Sequence, residues 1–240
     1  NNDSQIKSPK KRAITTCINL AKGIIIVTTD GDCRLNQYWL EEIQAHFAKN
    51  ETVFLSAPVS FFKAYKSKLM PNFWNKLQEI EFVSLIASGA CSIKIGFPNM
   101  CSGANVAYHK SAFFQVGGFE GNEHIASGDD EFLMHKMASQ FSGKVAYLKS
   151  QNAIVETAAL PNFKSFFNQR KRWAGKWTHY KSFTPKLLAL FIFSVNLGFI
   201  VALITGHMNL ILIKLIPEFI FLACSLFFFK KSNLVLIVLL

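Results

Sequence analysis

The start of the chain predicts a helix followed by a strand. Ser8-Pro9 provides an N-cap and a first-turn proline, apolar residues then recur at helical spacing as far as Ala21, and Gly23 can end the helix. The β-branched run 24–29 is apolar on both faces, which predicts a central strand buried on both sides. It leads into the acidic turn 30–32. A helix, a buried strand and polar residues at the strand's carboxyl end indicate an α/β unit.

The middle of the chain continues this alternation of helical and strand-like patterns. The stretch 89–102 bears Gly and Pro and predicts an irregular loop. A second polar loop opens at 117–119 and ends at 128–130. The spacing of apolar residues predicts strands over 53–58, 104–108, 145–148 and 153–156, and helices over 38–48, 73–87, 111–116, 130–140 and 163–176.

The end of the chain is almost continuously apolar. Residues 187–205 carry no charge and suffice for a bilayer core, which takes about 20 residues. Residues 209–229 form a second candidate span that contains Lys214 and Glu218. Their spacing of four allows an ion pair on one helical face, which lowers the cost of charge in a span. The last apolar run, 234–240, is too short to span and indicates a truncated third segment.

Composition and charge fit a globular domain with a membrane appendage. Half of the 240 residues are hydrophobic, and the formal net charge is +11. Such a basic surplus suits nucleic acid, an anionic membrane surface or phosphorylated substrates. The densest basic stretch, 164–186, directly precedes the first apolar span. Because basic residues beside a span are retained in the cytoplasm, we expect the soluble domain on that side.

The cysteines and the chain ends add two further expectations. The five cysteines are widely spaced and form no CxxC pair, which favours a reducing compartment over a zinc or disulfide framework. The six histidines show no ligand spacing. The sequence begins without Met or a signal peptide and ends within an apolar run. We therefore interpret it as a fragment cut at both ends.

The first motif with chemical potential is Asp30-Gly31-Asp32, on the turn after the predicted strand. Two carboxylates one residue apart can share Mg²⁺ or Mn²⁺, and the metal can bridge to the oxygens of a diphosphate. The alternative is an ordinary acidic turn, since Asp-Gly is a common turn dipeptide.

The second motif is Gly128-Asp129-Asp130, at the start of a predicted helix. Repulsion between adjacent carboxylates favours a proton-accepting role, whereas the helix N-terminus stabilises the charged form. The alternative is a simple helix cap. The third motif runs from Gln169 to Trp173, where guanidinium groups can grip a diphosphate and the indole can stack on a sugar or base. Its alternative is attraction to a membrane surface, and both roles can hold for different residues.

The order of these motifs resembles a known family. Asp30-Gly31-Asp32 is followed by Cys101 to Asn105, Gly117-Gly118-Phe119, Asp129 to Leu133 and Gln169 to Trp173, and then by apolar spans. This order of a DxD, a DDxxL-like and a QxxRW motif resembles the membrane-embedded glycosyltransferase family 2, which contains cellulose and hyaluronan synthases. The resemblance covers about residues 8–186. It implies a Rossmann-like α/β fold of GT-A type, a nucleotide-diphosphate sugar donor and inversion at the anomeric carbon.

The resemblance also implies roles for the matching carboxylates. Asp30 and Asp32 correspond to the pair that binds Mg²⁺ or Mn²⁺ and the donor diphosphate. Asp130 corresponds to the general base that deprotonates the acceptor hydroxyl, with Asp129 as its acidic neighbour.

The remaining matches imply donor and acceptor contacts. Gln169, Arg172 and Trp173 correspond to residues of an interfacial helix that hold the donor diphosphate, with Trp173 also bordering the acceptor site. Ser102, Gly103 and Asn105 correspond to a loop near the acceptor or the donor sugar.

Three parts of the chain follow from this interpretation: a partial GT-A domain over 1–160, an interfacial amphipathic helix over 161–186 and a transmembrane region over 187–240. The family normally begins with a strand and an acidic residue that hold the nucleotide base, so we expect the fold to lack its first strands. The expected donor is a UDP-sugar and the acceptor a glycan or a lipid-linked molecule. The expected location is a multi-pass site in the bacterial inner membrane, in contact with membrane lipids, with the catalytic domain in the cytoplasm.

Two functions from other classes are alternatives to glycosyl transfer. Gly-Asp-Asp also occurs in RNA-dependent polymerases, where the carboxylates lie between strands; here they open a helical pattern, so we expect no nucleic-acid partner. The alternative is a catalytically inactive membrane-bound fragment that acts as a scaffold or partner. The missing amino-terminal half favours that alternative, and the intact carboxylates oppose it.

Overall fold

The computed structural model describes residues 8–62, 72–123, 125, 127–175 and 184–238. It has mixed α/β architecture, as predicted, and fits the expected GT-A type. The strands are β1 (Ile25–Thr28), β2 (Phe54–Ser56), β3 (Val59–Phe61), β4 (Val106–His109), β5 (Val145–Tyr147) and β6 (Val155–Thr157). The helices are α1 (Pro9–Leu20), α2 (Trp39–Lys49), α3 (Asn72–Lys94), α4 (Lys110–Gln115), α5 (Asp129–Gln140), α6 (Phe163–Ala174), α7 (Thr184–Thr205), α8 (Met208–Phe228) and α9 (Val235–Val238), the last preceded by a 3₁₀ turn at Ser232–Leu234.

The main sheet has the strand order β1-β4-β2-β5. Strand β4 runs antiparallel to both β1 and β2, with Ala107 opposite Val27 on one side and Leu55 on the other. Strands β2 and β5 are parallel, and Leu55 lies opposite Ala146. A second, two-stranded parallel sheet pairs β3 with β6.

Alternate residues of the central strands face two separate cores. Leu55 and Ala107 face a cluster that includes Trp39 of α2 and Phe82 of α3. Their neighbours Phe54 and Tyr108 point to the opposite face, where they pack with residues of α1, α4 and α5. This period-two alternation places helices on both faces of the sheet, as an α/β domain requires.

Strand β1 is an edge strand, which corrects the prediction of a central one. Among the described strands, only β4 pairs with it, and its four residues are half-buried. Its apolar pattern arises because Ile25 and Val27 pack on one core while Ile26 packs on the other. An apolar pattern on both faces therefore indicates that helices or other elements cover both faces of the strand. It does not indicate how many strands pair with it.

Helix α3 and the end of α1 also differ from prediction. Residues 89–94, predicted to be irregular, continue α3 to Lys94. Gly89 does not break this helix but allows close packing, because a Cβ there would lie 2.9 Å from the backbone oxygen of Met100. Helix α1 ends at Leu20 with Ala21 as its C-cap, not at Gly23.

The buried side chain of Asn105 connects several elements of the fold. Its amide nitrogen donates to the carbonyl oxygens of Pro58 and Ala153, each at 2.8 Å. Its side-chain oxygen accepts a hydrogen bond of 3.0 Å from Nε1 of Trp39. Its backbone oxygen accepts from the N–H of Ala57 at 3.0 Å. One fully buried amide thus joins α2, the β2–β3 connection and the segment before β6.

The last two long helices match the predicted spans closely. Lys186–Thr205 of α7 and Met208–Phe228 of α8 have 20 and 21 residues and are long and apolar enough to cross a bilayer. The predicted ion pair is present, with Lys214 Nζ 2.8 Å from Glu218 Oε2. Beyond α8, Lys231 donates to the Phe61 carbonyl and pairs with Glu79 of α3, so the end of α8 is fixed to the α/β domain.

The remaining expectations for this region are met in part or lie outside the described residues. Of the short apolar run 234–240, Leu234 ends the 3₁₀ turn and Val235–Val238 form α9, while residues 239–240 lie outside the described residues. Helix α6 ends at Ala174, and Lys176 and Lys181 of the basic stretch lie outside the described residues.

We predict that Asn105→Ala destabilises the domain strongly. The change leaves the indole N–H of Trp39 and two carbonyls in the core without their partner, and each such group costs about 1–3 kcal/mol. At about 2–4 °C per kcal/mol for a chain of this size, the apparent melting temperature should fall by more than about 5 °C. Thermal unfolding of the detergent-solubilised full chain, followed by intrinsic fluorescence, measures this fall.

The matched control is Asn152→Ala. Asn152 is exposed, and its amide donates to Glu42 at the surface. Its removal should leave the melting temperature within about 1 °C, since surface substitutions usually cost little. Equal melting temperatures for the two variants would contradict the connecting role of Asn105.

Candidate functional site

A cleft of about 590 Å³ lies between the turn after β1, the start of α5, and the helices α3, α6 and α7. It gathers segments that are far apart in the sequence but meet at the carboxyl end of β1. Every predicted site residue except Asp32 and Asn105 lines it, namely Asp30, Ser102, Gly103, Asp129, Asp130, Gln169, Arg172 and Trp173.

Lys10 lies close to carboxylates of both acidic motifs in the cleft. Nζ of Lys10 lies 3.2 Å from Oδ2 of Asp129 and 3.7 Å from Oδ1 of Asp30. Burial lowers the pKa of Lys10, but Asp129 and Asp30 together outweigh burial and raise it. Lys10 therefore stays protonated at neutral pH and offsets part of the negative charge of both acidic motifs.

Lys10 was not among the residues predicted from the sequence. It lies in the first turn of α1, where a positive charge opposes the helix dipole. This unfavourable position is the feature of the sequence that could have identified Lys10. A cation in the first turn of a helix needs carboxylates of another segment nearby to be stabilised.

The loop before β4 approaches the start of α5 closely at Gly103. A Cβ at this position would lie 3.1 Å from Oδ2 of Asp130, so glycine leaves the space that the carboxylate occupies. The Thr28 hydroxyl donates to the Gly103 carbonyl at 3.3 Å, which ties the loop to the end of β1. The absence of a side chain at Gly103 thus leaves room for the Asp130 carboxylate of a different segment.

Arg170 connects α6 to α3. Its Nε donates to Oε1 of Glu81 at 2.7 Å, and its Nη2 pairs with Oε2 of the same carboxylate. Its Nη1 donates to the side-chain oxygen of Gln169. The guanidinium carbon lies 4.4 Å from the ring centroid of Phe166 and 4.3 Å from that of Trp173. Arg170 therefore orients Gln169 and Trp173 rather than offering a guanidinium to a ligand.

Arg172 has a different environment from Arg170. It is exposed and lines the cleft, and within the described part of the chain no carboxylate pairs with it. Of the two arginines, Arg172 is consequently the one whose guanidinium can bind an anion in the cleft.

Asp32 and Asn105 do not reach the cleft. Asp32 is exposed on the turn beyond Asp30, and Asn105 is fully buried with its amide bound to protein groups. The sequence motif predicted that Asn105 lies near the acceptor or the donor sugar. Because its side chain is buried, Asn105 can influence a bound sugar only through the backbone of the loop.

The described carboxylates can hold a metal ion only if a bound ligand, such as a diphosphate, completes its coordination. In the described residues, no group of three or more His, Cys, Asp or Glu side chains is arranged to hold a metal. Asp30 and Asp32 provide hard oxygen donors on one exposed turn, and the Asp30 side chain is 49% exposed. Mg²⁺ commonly takes one or two carboxylates and completes its coordination with phosphate oxygens and water. The pair fits that kind of site.

Comparison with known protein families gives one match. The family described as "Glycosyl transferase family group 2" matches residues 25–239, which is nearly the whole chain. No curated protein matches the chain.

We predict that Glu81→Gln loosens helix α6. The change removes the charge that holds Arg170, and hydrogen bonds to charged groups contribute about 1.5–3 kcal/mol each. Amide hydrogen exchange in 163–174 should therefore accelerate by at least about tenfold, measured by mass spectrometry on the full chain in lipid nanodiscs. Glu79→Gln is the matched control, because Glu79 lies on the same helix but pairs with Lys231 instead of α6. Equal rates of amide exchange in α6 for the two variants would contradict the role of the Glu81–Arg170 pair in holding α6 to α3.

Proposed function

This chain belongs to glycosyl transferase family group 2, and we propose that it transfers a sugar, with inversion, from a nucleotide-diphosphate sugar to an acceptor hydroxyl. The observation that carries this proposal is the cleft in which Asp30, Asp129, Asp130 and the Gln169–Trp173 segment meet. Family membership supports glycosyl transfer in general. The donor, the acceptor class and the stereochemistry are our proposals, with a UDP-sugar as donor and a glycan or lipid-linked molecule as acceptor.

The donor diphosphate is proposed to lie between α6 and the turn after β1. Arg172 and Gln169 on one side and Lys10 on the other supply positive charge and hydrogen-bond donors for its oxygens. These groups line the cleft and can stabilise the negative charge that develops on the leaving group. Mg²⁺ or Mn²⁺, held by Asp30 and Asp32, would supply further charge neutralisation when bound.

Asp130 is the proposed general base, with Asp129 as its acidic neighbour. Lys10 pairs with Asp129 at 3.2 Å, which assigns that carboxylate a charge-balancing and positioning role. Asp130 lies against Gly103, in the loop proposed to border the acceptor. From there it can accept the proton of the acceptor hydroxyl as the oxygen attacks the anomeric carbon.

The proposed setting is a membrane surface. Helices α7 and α8 have the length and composition of spans, and α6 carries Lys171 and Arg172 in its last turn, just before them. Basic residues at this position favour a cytoplasmic orientation, with anionic lipid headgroups near α6. We propose that the chain is a multi-pass protein of the bacterial inner membrane, similar to the cellulose and hyaluronan synthase group, with its catalytic domain in the cytoplasm.

We predict that the full chain in membranes releases nucleoside diphosphate from one of a panel of nucleotide sugars, and that release requires Mg²⁺ or Mn²⁺. Asp130→Asn should lower the rate by about 10²- to 10⁴-fold, because the acceptor loses its base. Glu41→Gln, which changes an exposed carboxylate on α2, should keep the wild-type rate.

The opposite outcome identifies the alternative function. Absence of release from every donor, together with absence of metal-dependent nucleotide binding, would exclude the enzyme and leave an inactive membrane-bound scaffold.

A further inference from the structure

One wall of the cleft is apolar and is formed by helices of two different parts of the chain. Leu85 and Ile86 of α3 line it from the α/β domain, and Leu188, Ala189 and Ile192 line it from α7. The charged groups Asp30, Asp130 and Arg172 line the same cleft from the other segments. A molecule that fills this space meets both charged, hydrogen-bonding groups and aliphatic side chains.

The chemistry of the apolar wall decides which acceptor it suits. A sugar hydroxyl placed against Leu188 and Ile192 finds no hydrogen-bond partner in these side chains, and burying an unpaired polar group is unfavourable. A methylene group in the same place is stabilised because it leaves water. The wall therefore favours a hydrocarbon chain over a polyhydroxylated one.

The apolar wall also continues into the surface proposed to face lipid. Ile192 is 51% exposed, and its neighbours Phe191 and Phe193 on α7 are 65% and 64% exposed. Lys186–Thr205, which contains these residues, has the length of a span and few buried residues. A chain lying in the bilayer beside α7 can thus approach the cleft along the exposed apolar surface of this helix.

We propose that the acceptor is an amphipathic lipid. Its hydroxyl-bearing headgroup reaches Asp130, and its hydrocarbon chain lies along Leu188 and Ile192 of α7. This inference rests on the proposed transferase function and narrows its acceptor class from glycans and lipids to lipids.

The reaction balances without a further reactant. The hydroxyl oxygen of the lipid forms a bond to the anomeric carbon of the donor sugar, and the bond from that carbon to the diphosphate oxygen breaks. The electron pair of the broken bond leaves with the nucleoside diphosphate, and the hydroxyl proton passes to Asp130. The products are a glycolipid and a nucleoside diphosphate.

The test uses the full chain in bacterial membranes, supplied with divalent metal and the nucleotide sugar that supports diphosphate release, labelled in the sugar. We expect the label to extract into chloroform–methanol as a lipid product. Ile192→Asn should lower the rate of lipid labelling by about tenfold, since it removes aliphatic contact and places an amide against the chain.

The matched control is Leu190→Asn, the same change two residues away. Leu190 lies on α7 at 60% exposure and does not line the cleft, so the variant carries the same cost of an amide in the span. It should keep lipid labelling within about twofold of wild type, as a surface substitution away from the site.

A second measurement varies the acceptor chain directly. With n-alkyl glycosides from methyl to octyl as acceptors, the acceptor KM should fall by about threefold to fourfold for each methylene that enters the cleft. The Ile192→Asn variant should show a flatter dependence than Leu190→Asn.

Each contrary result has a distinct meaning. Label in water-soluble or insoluble polymer, or equal lipid labelling in the two asparagine variants, would overturn the lipid acceptor while leaving the transferase intact. Absence of diphosphate release from every donor would instead remove the proposed function itself.

Discussion

The hydrogen bonds of the buried Asn105 side chain are the constraint on which the arrangement of the cleft depends. They fix the loop 102–105 to α2, to the β2–β3 connection and to the segment before β6. Because that loop is fixed, Gly103 lies against the Asp130 carboxylate at the start of α5. A polar side chain in the core thus fixes the loop against which the partly buried Asp130 carboxylate lies. The cost of burying the amide is offset because all its partners are protein groups.

Electrostatics then divides the roles of similar residues. Lys10 pairs with Asp129 and Asp30, and Gly103 leaves room for the Asp130 carboxylate. Arg170 and Arg172 both line the cleft, but Arg170 is bound to Glu81 and lies against two aromatic rings. Among the described residues, Arg172 is therefore the arginine of this pair that we assign to the ligand. Our assignment of Asp130 to the chemistry rests on its motif and on its place beside Gly103 in the cleft.

Local patterns predicted the elements well but not their long-range partners. Most of the helices and strands, the two apolar helices and the Lys214–Glu218 pair follow from periodicity and spacing, which are properties of neighbouring residues. Strand β3 was not predicted, because its three residues directly follow the predicted strand 53–58. The edge position of β1 depends instead on pairing with β4, about 80 residues later. The Glu81–Arg170 pair and the contact of Lys10 with both acidic motifs are likewise long-range. Gly89 shows the same limit, since a glycine that breaks an isolated helix allows close packing inside this one.

The central claim is that the turn after β1, the start of α5 and the end of α6 form one nucleotide-sugar site. The most direct measurement is hydrogen exchange of the full chain in nanodiscs, with and without uridine diphosphate and Mn²⁺. We expect amide exchange to slow in all three segments, around 28–33, 127–132 and 163–174. We expect this protection to be lost when the metal is removed. Protection confined to other segments, or to only one of these three, would contradict a single site.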